Sequence, residues 1–264
     1  MADESPFLLA DEEEIAARQR DRRHIYGNHV ICVTEAAASP KNEWRSDVEL
    51  MNRMRSRFGD ARIEIVVDAT EGFIPLWAQG SKLHWCFDNV SMQAFRDPAA
   101  ARKAVRALFH EALEAWGSAC PVAFVENNRI PDFKFVMRSK KRCNPSGCVL
   151  ASAFFPDGGR HELTLYPSLF EQPRSEQVET LVHEIGHIFG LRHFFANVSE
   201  TAWPSVIYGT HNKFSIMNYG SASVLTDADR SDLQKLYAAV WDGQVSSLNG
   251  TPIRLMRPYS TRYL

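Results

Sequence analysis

The 264-residue chain predicts an α+β fold, a mixed sheet with helices packed against it, and three observations lead there. Runs rich in β-branched and aromatic residues are bounded by glycine, proline and aspartate clusters, as strands are. Two long stretches carry apolar residues at helical spacing, each with a start signal. From residue 82 onward the order is strand, helix, three strands, helix, long irregular stretch, helix. No internal repeat or low-complexity tract interrupts it.

The bulk numbers fit a single large domain or one domain with an appended segment. Hydrophobic residues make up 45% and charged residues 23% of the chain, enough to bury a sizeable core without disulfide staples. A net charge of −2 gives no basic surplus for nucleic acid or an anionic membrane. No stretch reaches the roughly 18 apolar residues needed to span a bilayer. The start "MADESPFLLADEEEIAARQRDRR" is acidic and then basic, with "FLLA" as its apolar run, so it does not read as a secretory signal. The expectation is a cytoplasmic protein or one exported by a non-classical route. Five cysteines, Cys32, Cys86, Cys120, Cys143 and Cys148, are too few and uneven for a disulfide framework. Free thiols are the expected state, with a small Cys143–Cys148 bridge in "CNPSGC" as the alternative in an oxidising compartment.

Residues 1–23 read as a polar, helix-forming arm. "HVICVTEA" (29–36) and "RIEIVVDAT" (62–70) read as strands, and "SDVELMNRMRSRFG" (46–59) between them has helical spacing. "EGFIPLWAQGSK" (71–82) is turn-rich and reads as a boundary, so residues 1–75 are expected to form an N-terminal extension and 76–264 the main domain. "KLHWCFD" (82–88) alternates as a strand. Asp97 before Pro98 is an N-cap followed by proline at the first helical position, and Ala101, Val105, Leu108, Ala112 and Trp116 form the buried stripe of a helix that Gly117 ends. "PDFKFVMR", "GCVLASAFFP" and "HELTLYP" read as three strands, the last two joined by the turn "PDGG". A second helix is expected over 176–189 with Ser175 as N-cap, 194–225 as irregular, and a last helix from Thr226, where "TDAD" supplies a capping pattern.

The chemistry concentrates in "VHEIGHIFGLRHF" (182–194). Val178, Leu181, Val182, Ile185, Ile188 and Phe189 form the helix's core stripe. His183 and His187, four apart, stand one above the other off that stripe, with Glu184 beside them. Two such imidazoles can share one zinc ion, and Glu184 is placed to act on water rather than to bind metal. Gly190 can leave the helix in a left-handed turn and bring His193 round as a third ligand. Three protein ligands leave a position open for water, the mark of a catalytic zinc. A lone histidine on a helix is usually a packed or surface residue. The five-position pattern H-E-x-x-H-x-x-G-x-x-H arises by chance in such a chain on the order of one time in ten thousand or less.

"HEIGHIFGLRH" resembles the zinc-binding consensus of the metzincin metalloproteases. "KFSIMNYG" (213–220) resembles the family's methionine turn, with Met217 placed 24 residues after His193. "GCVLASAFFP" is similar to the edge strand that metzincins, matrixins in particular, place above the cleft, and "LTDADRSDLQKLY" to the C-terminal helix. The resemblance covers roughly 80–241. It implies a zincin-like fold: a twisted, mixed five-stranded sheet with an antiparallel edge strand, two long helices, and an irregular C-terminal subdomain ending in a helix. It implies a zinc endopeptidase in which His183, His187 and His193 bind the metal and Glu184 is the general base. Tyr219, two places after Met217, is implied as an extra ligand or a donor to the oxyanion, with a packed tyrosine as the alternative. The implied substrate is a protein or peptide bound in extended form along Val149–Phe154, and a monomer is expected.

Phe194 departs from the pattern, since the subfamilies place glutamate, aspartate, serine or proline after the third histidine, so the astacin-like or matrixin-like assignment stays open. "RFGD" (57–60) resembles the astacin pro-segment motif with Asp60 as the capping residue, but a turn ending a helix explains it as well, and a structural lobe is the stronger reading of residues 1–75. Cys32 lacks the flanks of a cysteine switch. His24, His29, His84, His110, His161 and His211 read as surface or packed residues. "PDGGRHE" offers too few carboxylates for the six or more oxygens of calcium, which stands as the weaker alternative for a second metal. Two rival readings share the site: a pseudo-protease that binds zinc without turnover, against which the retained Glu184 argues, and a zinc hydrolase of a non-peptide amide.

Overall fold

The computed structural model describes residues 6–7, 30–31, 63–69, 72–144, 147–193, 205–211, 216–217 and 224–263. Along them run β1 (Val30–Ile31), β2 (Ile63–Asp68), β3 (Ile74–Trp77), β4 (Lys82–Phe87), a short helix α1 (Asn89–Met92), the long helix α2 (Pro98–Trp116) and β5 (Ala123–Glu126). There follow β6 (Phe133–Met137), β7 (Arg142–Asn144), β8 (Gly147–Val149), β9 (Ala151–Ser152), β10 (His161–Leu165) and α3 (Arg174–Ile188). Last come β11 (Ser205–His211), α4 (Asp227–Trp241), β12 (Ser247–Leu248) and β13 (Thr251–Met256).

The central sheet has five strands in the order β5-β4-β6-β10-β9. β4 runs parallel to β5 and β6, and β6 parallel to β10. β9 closes the edge antiparallel to β10, with Thr164 opposite Ser152. This is the mixed sheet with an antiparallel edge strand that the sequence resemblance implies. Its core is aromatic. Trp85, Phe133 and Phe135 project from β4 and β6 onto Phe109 of α2, with Phe109 and Phe135 edge to face at 5.1 Å. Each such ring, fully buried, contributes roughly 1.5–3 kcal/mol through apolar area alone. α2 starts as its sequence directs, with the Asp97 side chain accepting from the Ala99 and Ala100 amides at 2.9 Å. α4 starts on the reciprocal capping box of Thr226 and Asp229.

Four expectations need correction. "EGFIPLWAQGSK" is no turn: Ile74–Trp77 form a fully buried strand that pairs in parallel with β13, placing Pro75 opposite Arg254. Residues 194–225 are not irregular throughout, because Ser205–His211 pair antiparallel with β2. Ser175 does not cap α3. Pro173 holds the extended cap position, with φ −56° and ψ 152°, and the helix begins one residue before Ser175. Cys143 and Cys148 are not free thiols but a disulfide, because antiparallel β7 and β8 set them directly opposite each other. Cys86 and Cys120 are free. No helix among the described residues is long and apolar enough to cross a membrane. The expected arm at 1–23 beyond Pro6 and Phe7, the helix at 46–59 and most of the strand at 29–36 lie outside the described residues.

Candidate metal centre

α3 carries His183, Glu184 and His187 on a face that the rest of the fold covers. They are 8%, 1% and 0% exposed, so the polar side of this amphipathic helix is as deeply set as its apolar stripe, and His193, beyond the helix end, is 2% exposed. Burial sets the protonation state. Loss of water and the neighbouring His193 push His183 down to about 3, and burial drives His187 well below the ordinary histidine range. Both rings are neutral at physiological pH.

The partners then fix which nitrogen holds the proton. His183 Nδ1 donates to the Ile216 carbonyl at 2.6 Å, and His187 Nδ1 donates to the Leu191 carbonyl at 2.7 Å. A carbonyl oxygen only accepts, so both protons sit on Nδ1 and both Nε2 atoms present lone pairs. Those two atoms each lie 3.2 Å from Nε2 of His193. A tetrahedral ion at 2.0–2.1 Å from each nitrogen requires nitrogens about 3.3 Å apart. His193 Nε2 therefore stands from each of the other two nitrogens at the spacing one zinc ion demands, and all three lie within 4.8 Å of one another. Among the described residues this is the one cluster of at least three histidine, cysteine or acidic side chains that could hold a metal.

His193 reaches the site because α3 ends in a Schellman turn. The Gly190 amide donates to the His187 carbonyl at 2.8 Å and the Leu191 amide to the Gly186 carbonyl at 3.0 Å. Gly190 has φ +91°, and a Cβ there would stand 3.0 Å from the Pro75 carbonyl oxygen and 3.2 Å from Leu76 Cδ2. Glycine is required twice over, for the left-handed turn and for the approach of β3. Gly186, between the two helix histidines, has a different reason. A Cβ there would fall 2.5 Å from Met217 Sδ, so the bare backbone is what lets the methionine pack beneath the site.

Two positioning residues were not visible in the sequence. Trp77 of β3 donates its indole N–H to the Ile188 carbonyl at 2.7 Å, and the Tyr237 hydroxyl of α4 donates to the Phe189 carbonyl at 3.0 Å. Together they satisfy carbonyls that a helix terminus leaves open. Neither residue left a signal in the sequence, because each serves a carbonyl of a distant segment.

Tyr219, Phe194, Asp60 and Cys32 lie outside the described residues, as do His24 and His29, the side chain of His211 and the loop between Met217 and Val224. His84 is packed, His110 is exposed and pairs with Glu114 at 3.2 Å, and His161 stacks on Phe154 at 4.3 Å. In the "PDGG" turn Asp157 Oδ1 accepts from the Gly159 amide at 2.6 Å. The edge strand delivers Phe155 to the site, its ring 5.5 Å from that of His187.

Residues 77–238 match the family model described as matrixin. Among curated proteins none matches the chain in sequence. Two structures of myroilysin are similar to it, both at 16% identity: one covers 65% of this chain and 98% of its own with a TM-score of 0.39, the other 61% and 85% with 0.41. A third is high choriolytic enzyme 1, a hatching-enzyme zinc-protease from the medaka fish Oryzias latipes, at 13% identity, covering 62% of this chain and 94% of its own with a TM-score of 0.37.

Proposed function

The chain belongs to the matrixin family of metzincin zinc metalloproteases, and on that premise we propose that it is an endopeptidase that hydrolyses peptide bonds with Glu184 as general base. The observation that carries this reading is the convergence of three Nε2 atoms, two of them with their tautomer fixed by carbonyls, beside a buried glutamate. His183, His187 and His193 would hold the metal. Zinc there supplies a Lewis acid that acidifies water and polarises a carbonyl. Glu184, one residue from the first ligand, takes the proton of the attacking water and returns it to the departing amine. Tyr219, assigned on its motif alone, donates a hydrogen bond to the oxygen that becomes negative at the tetrahedral stage.

The substrate lies extended against the outer edge of β9, within Val149–Phe154, adding a strand to the sheet. The position of β9 at the end of the sheet order and of Phe155 beside His187 supports this. One zinc and no calcium per chain is the expected stoichiometry, because the turn at 157–159 offers a single carboxylate that is already engaged by its own backbone. A monomer is the proposed state. Residues 1–75 are proposed as a retained lobe rather than a removable pro-segment. The pairing of β2 with β11 and of β3 with β13 supports this, since both join that part of the chain to the C-terminal half.

Zinc content and casein cleavage, measured together for wild type and Glu184→Ala, test the reading. Both proteins should hold one zinc per chain and only wild type should cleave. Zinc in both with cleavage by neither points to the pseudo-protease or the non-peptide amidase, and cleavage by the variant removes Glu184 from the mechanism. N-terminal sequencing of the active form should still begin before residue 63.

A further inference from the structure

Beyond Phe155 the chain leaves the metal centre and enters the turn at 156–160, where it meets the C-terminal segment 257–263. Two arginines lie against one tyrosine ring: the Arg160 guanidinium is 4.4 Å and that of Arg262 5.6 Å from the centroid of Tyr259. The Tyr259 hydroxyl is 2.7 Å from that of Tyr263. Arg262 Nη2 and the Arg257 carbonyl oxygen both reach the backbone of Gly158, within 3.3 Å and 3.4 Å of where a Cβ would stand. Farther along, Arg254 stacks 3.9 Å over Phe73. All four arginines are exposed. None has a carboxylate partner among the described residues, whereas Arg106, Arg138, Arg174 and Arg230 all do.

This surface is held in place from below. Asp132, 1% exposed, accepts from the Ser260 amide at 2.6 Å, from the Ser260 hydroxyl at 2.9 Å and from the His84 amide at 2.6 Å. A buried carboxylate thus ties the turn that presents Tyr259 and Arg262 directly to the central sheet. Aromatic faces hold the flat guanidinium groups without using their in-plane donors. Those donors match the two oxygens of a carboxylate. The chain as a whole carries a net charge of −2, so the local excess of cations is not a by-product of a basic protein. On this face Asp157 is the competing acid, and it is engaged with the Gly159 amide and stands 4.0 Å from His161.

We propose that Arg160 and Arg262, stacked on Tyr259, form a docking site for an acidic stretch of the polypeptide substrate. The inference rests on the proteolytic reading. A peptide paired with β9 and continuing past Phe155 runs onto this face, so glutamates and aspartates several residues from the cut bond would be selected.

The test uses the full-length zinc-loaded protein and one cleavable core peptide extended at either end by four glutamates or four serines. At low salt one tetraglutamate extension should lower KM about tenfold relative to tetraserine, with kcat unchanged, and ~0.5 M salt should erase the difference, as expected of exposed charge pairs. In the double variant Arg160→Gln/Arg262→Gln the preference should vanish, while the tetraserine peptide is cleaved as by wild type, which reports an intact fold. A preference below twofold, or one that survives in the double variant, overturns the proposal and leaves the protease reading standing. If nothing is cleaved, fluorescence anisotropy of the labelled tetraglutamate peptide separates the two ideas. Arginine-dependent binding keeps the docking site and rejects proteolysis, and equal binding by both proteins rejects the docking site. Retention on anionic lipid vesicles without any preference for the acidic peptide also overturns it.

Discussion

The two ends of α3 are held by different means. At its N-terminus no side chain caps the helix, and the contacts are an exposed ion pair between Arg174 and Glu111 and a hydrogen bond from the Gln177 amide side chain to the Gln172 carbonyl at 2.8 Å. At its C-terminus an indole and a phenol from two other elements take the last carbonyls, a glycine turn locks against β3, and Met217 sits under Gly186. The long-range contacts concentrate on the end that sets His187 Nε2 and His193 Nε2 3.2 Å apart. The other end needs only to be helical.

Acid should expose this contrast most strongly. His183 sits at about 3 and His187 is also depressed in the folded state, whereas an unfolded histidine protonates near 6.5. Between those values the unfolded chain binds more protons than the folded one, so stability rises with pH. The metal-free protein should be at full stability above about pH 6.5 and lose it progressively as pH falls toward 3. Urea unfolding at a series of pH values reads this directly, and a flat profile would mean the histidine cluster opens to water.

Gly186→Ala comes next. In an ordinary exposed helix the change would stabilise by about 1 kcal/mol. Here the new methyl meets Met217 Sδ at 2.5 Å, and overpacking of that kind costs about 1–3 kcal/mol. A net loss of stability with weaker zinc retention against a chelator is expected. A gain in stability would show that Met217 moves aside freely.

A matched pair of substitutions makes the sharpest comparison. Tyr237→Phe leaves the Phe189 carbonyl without its donor in a buried setting and should cost about 1–3 kcal/mol and speed zinc loss. Arg174→Ala removes only the exposed pair and should cost under about 1 kcal/mol, with zinc loss unchanged. Equal zinc loss in the two variants would erase the distinction between the ends.

Much of this arrangement was legible in the sequence because it is local. The Asp97 and Thr226 caps, the stripe of α2 and the spacing of His183, Glu184, His187, Gly190 and His193 all follow from neighbours within a few turns, whereas Met217 was legible only through the family resemblance. What escaped depends on partners far along the chain. β3 carries a proline and is flanked by Gly72 and Gly80, so it reads as a turn until β13 pairs with it. β11 is a strand because β2 lies beside it. Trp77 and Tyr237 look like ordinary core aromatics, since the carbonyls they serve are 111 and 48 residues away. The disulfide failed differently: the spacing was noticed, but the hairpin register that sets the two sulfurs opposite each other outweighed an argument from compartment.

The pairing of β3 with β13 also imposes a timetable. Ile74–Trp77 are made well before Thr251–Met256, and until both exist the strand bearing Trp77 lacks the strand it pairs with among the described residues. Non-local closure of this kind is slow to form. The turn that carries the third histidine is braced by that same strand, so a half-made chain holds its ligand helix without the brace. The candidate metal site of this metalloprotease is thereby coupled to the closing of a sheet whose second strand lies far along the chain from its histidines.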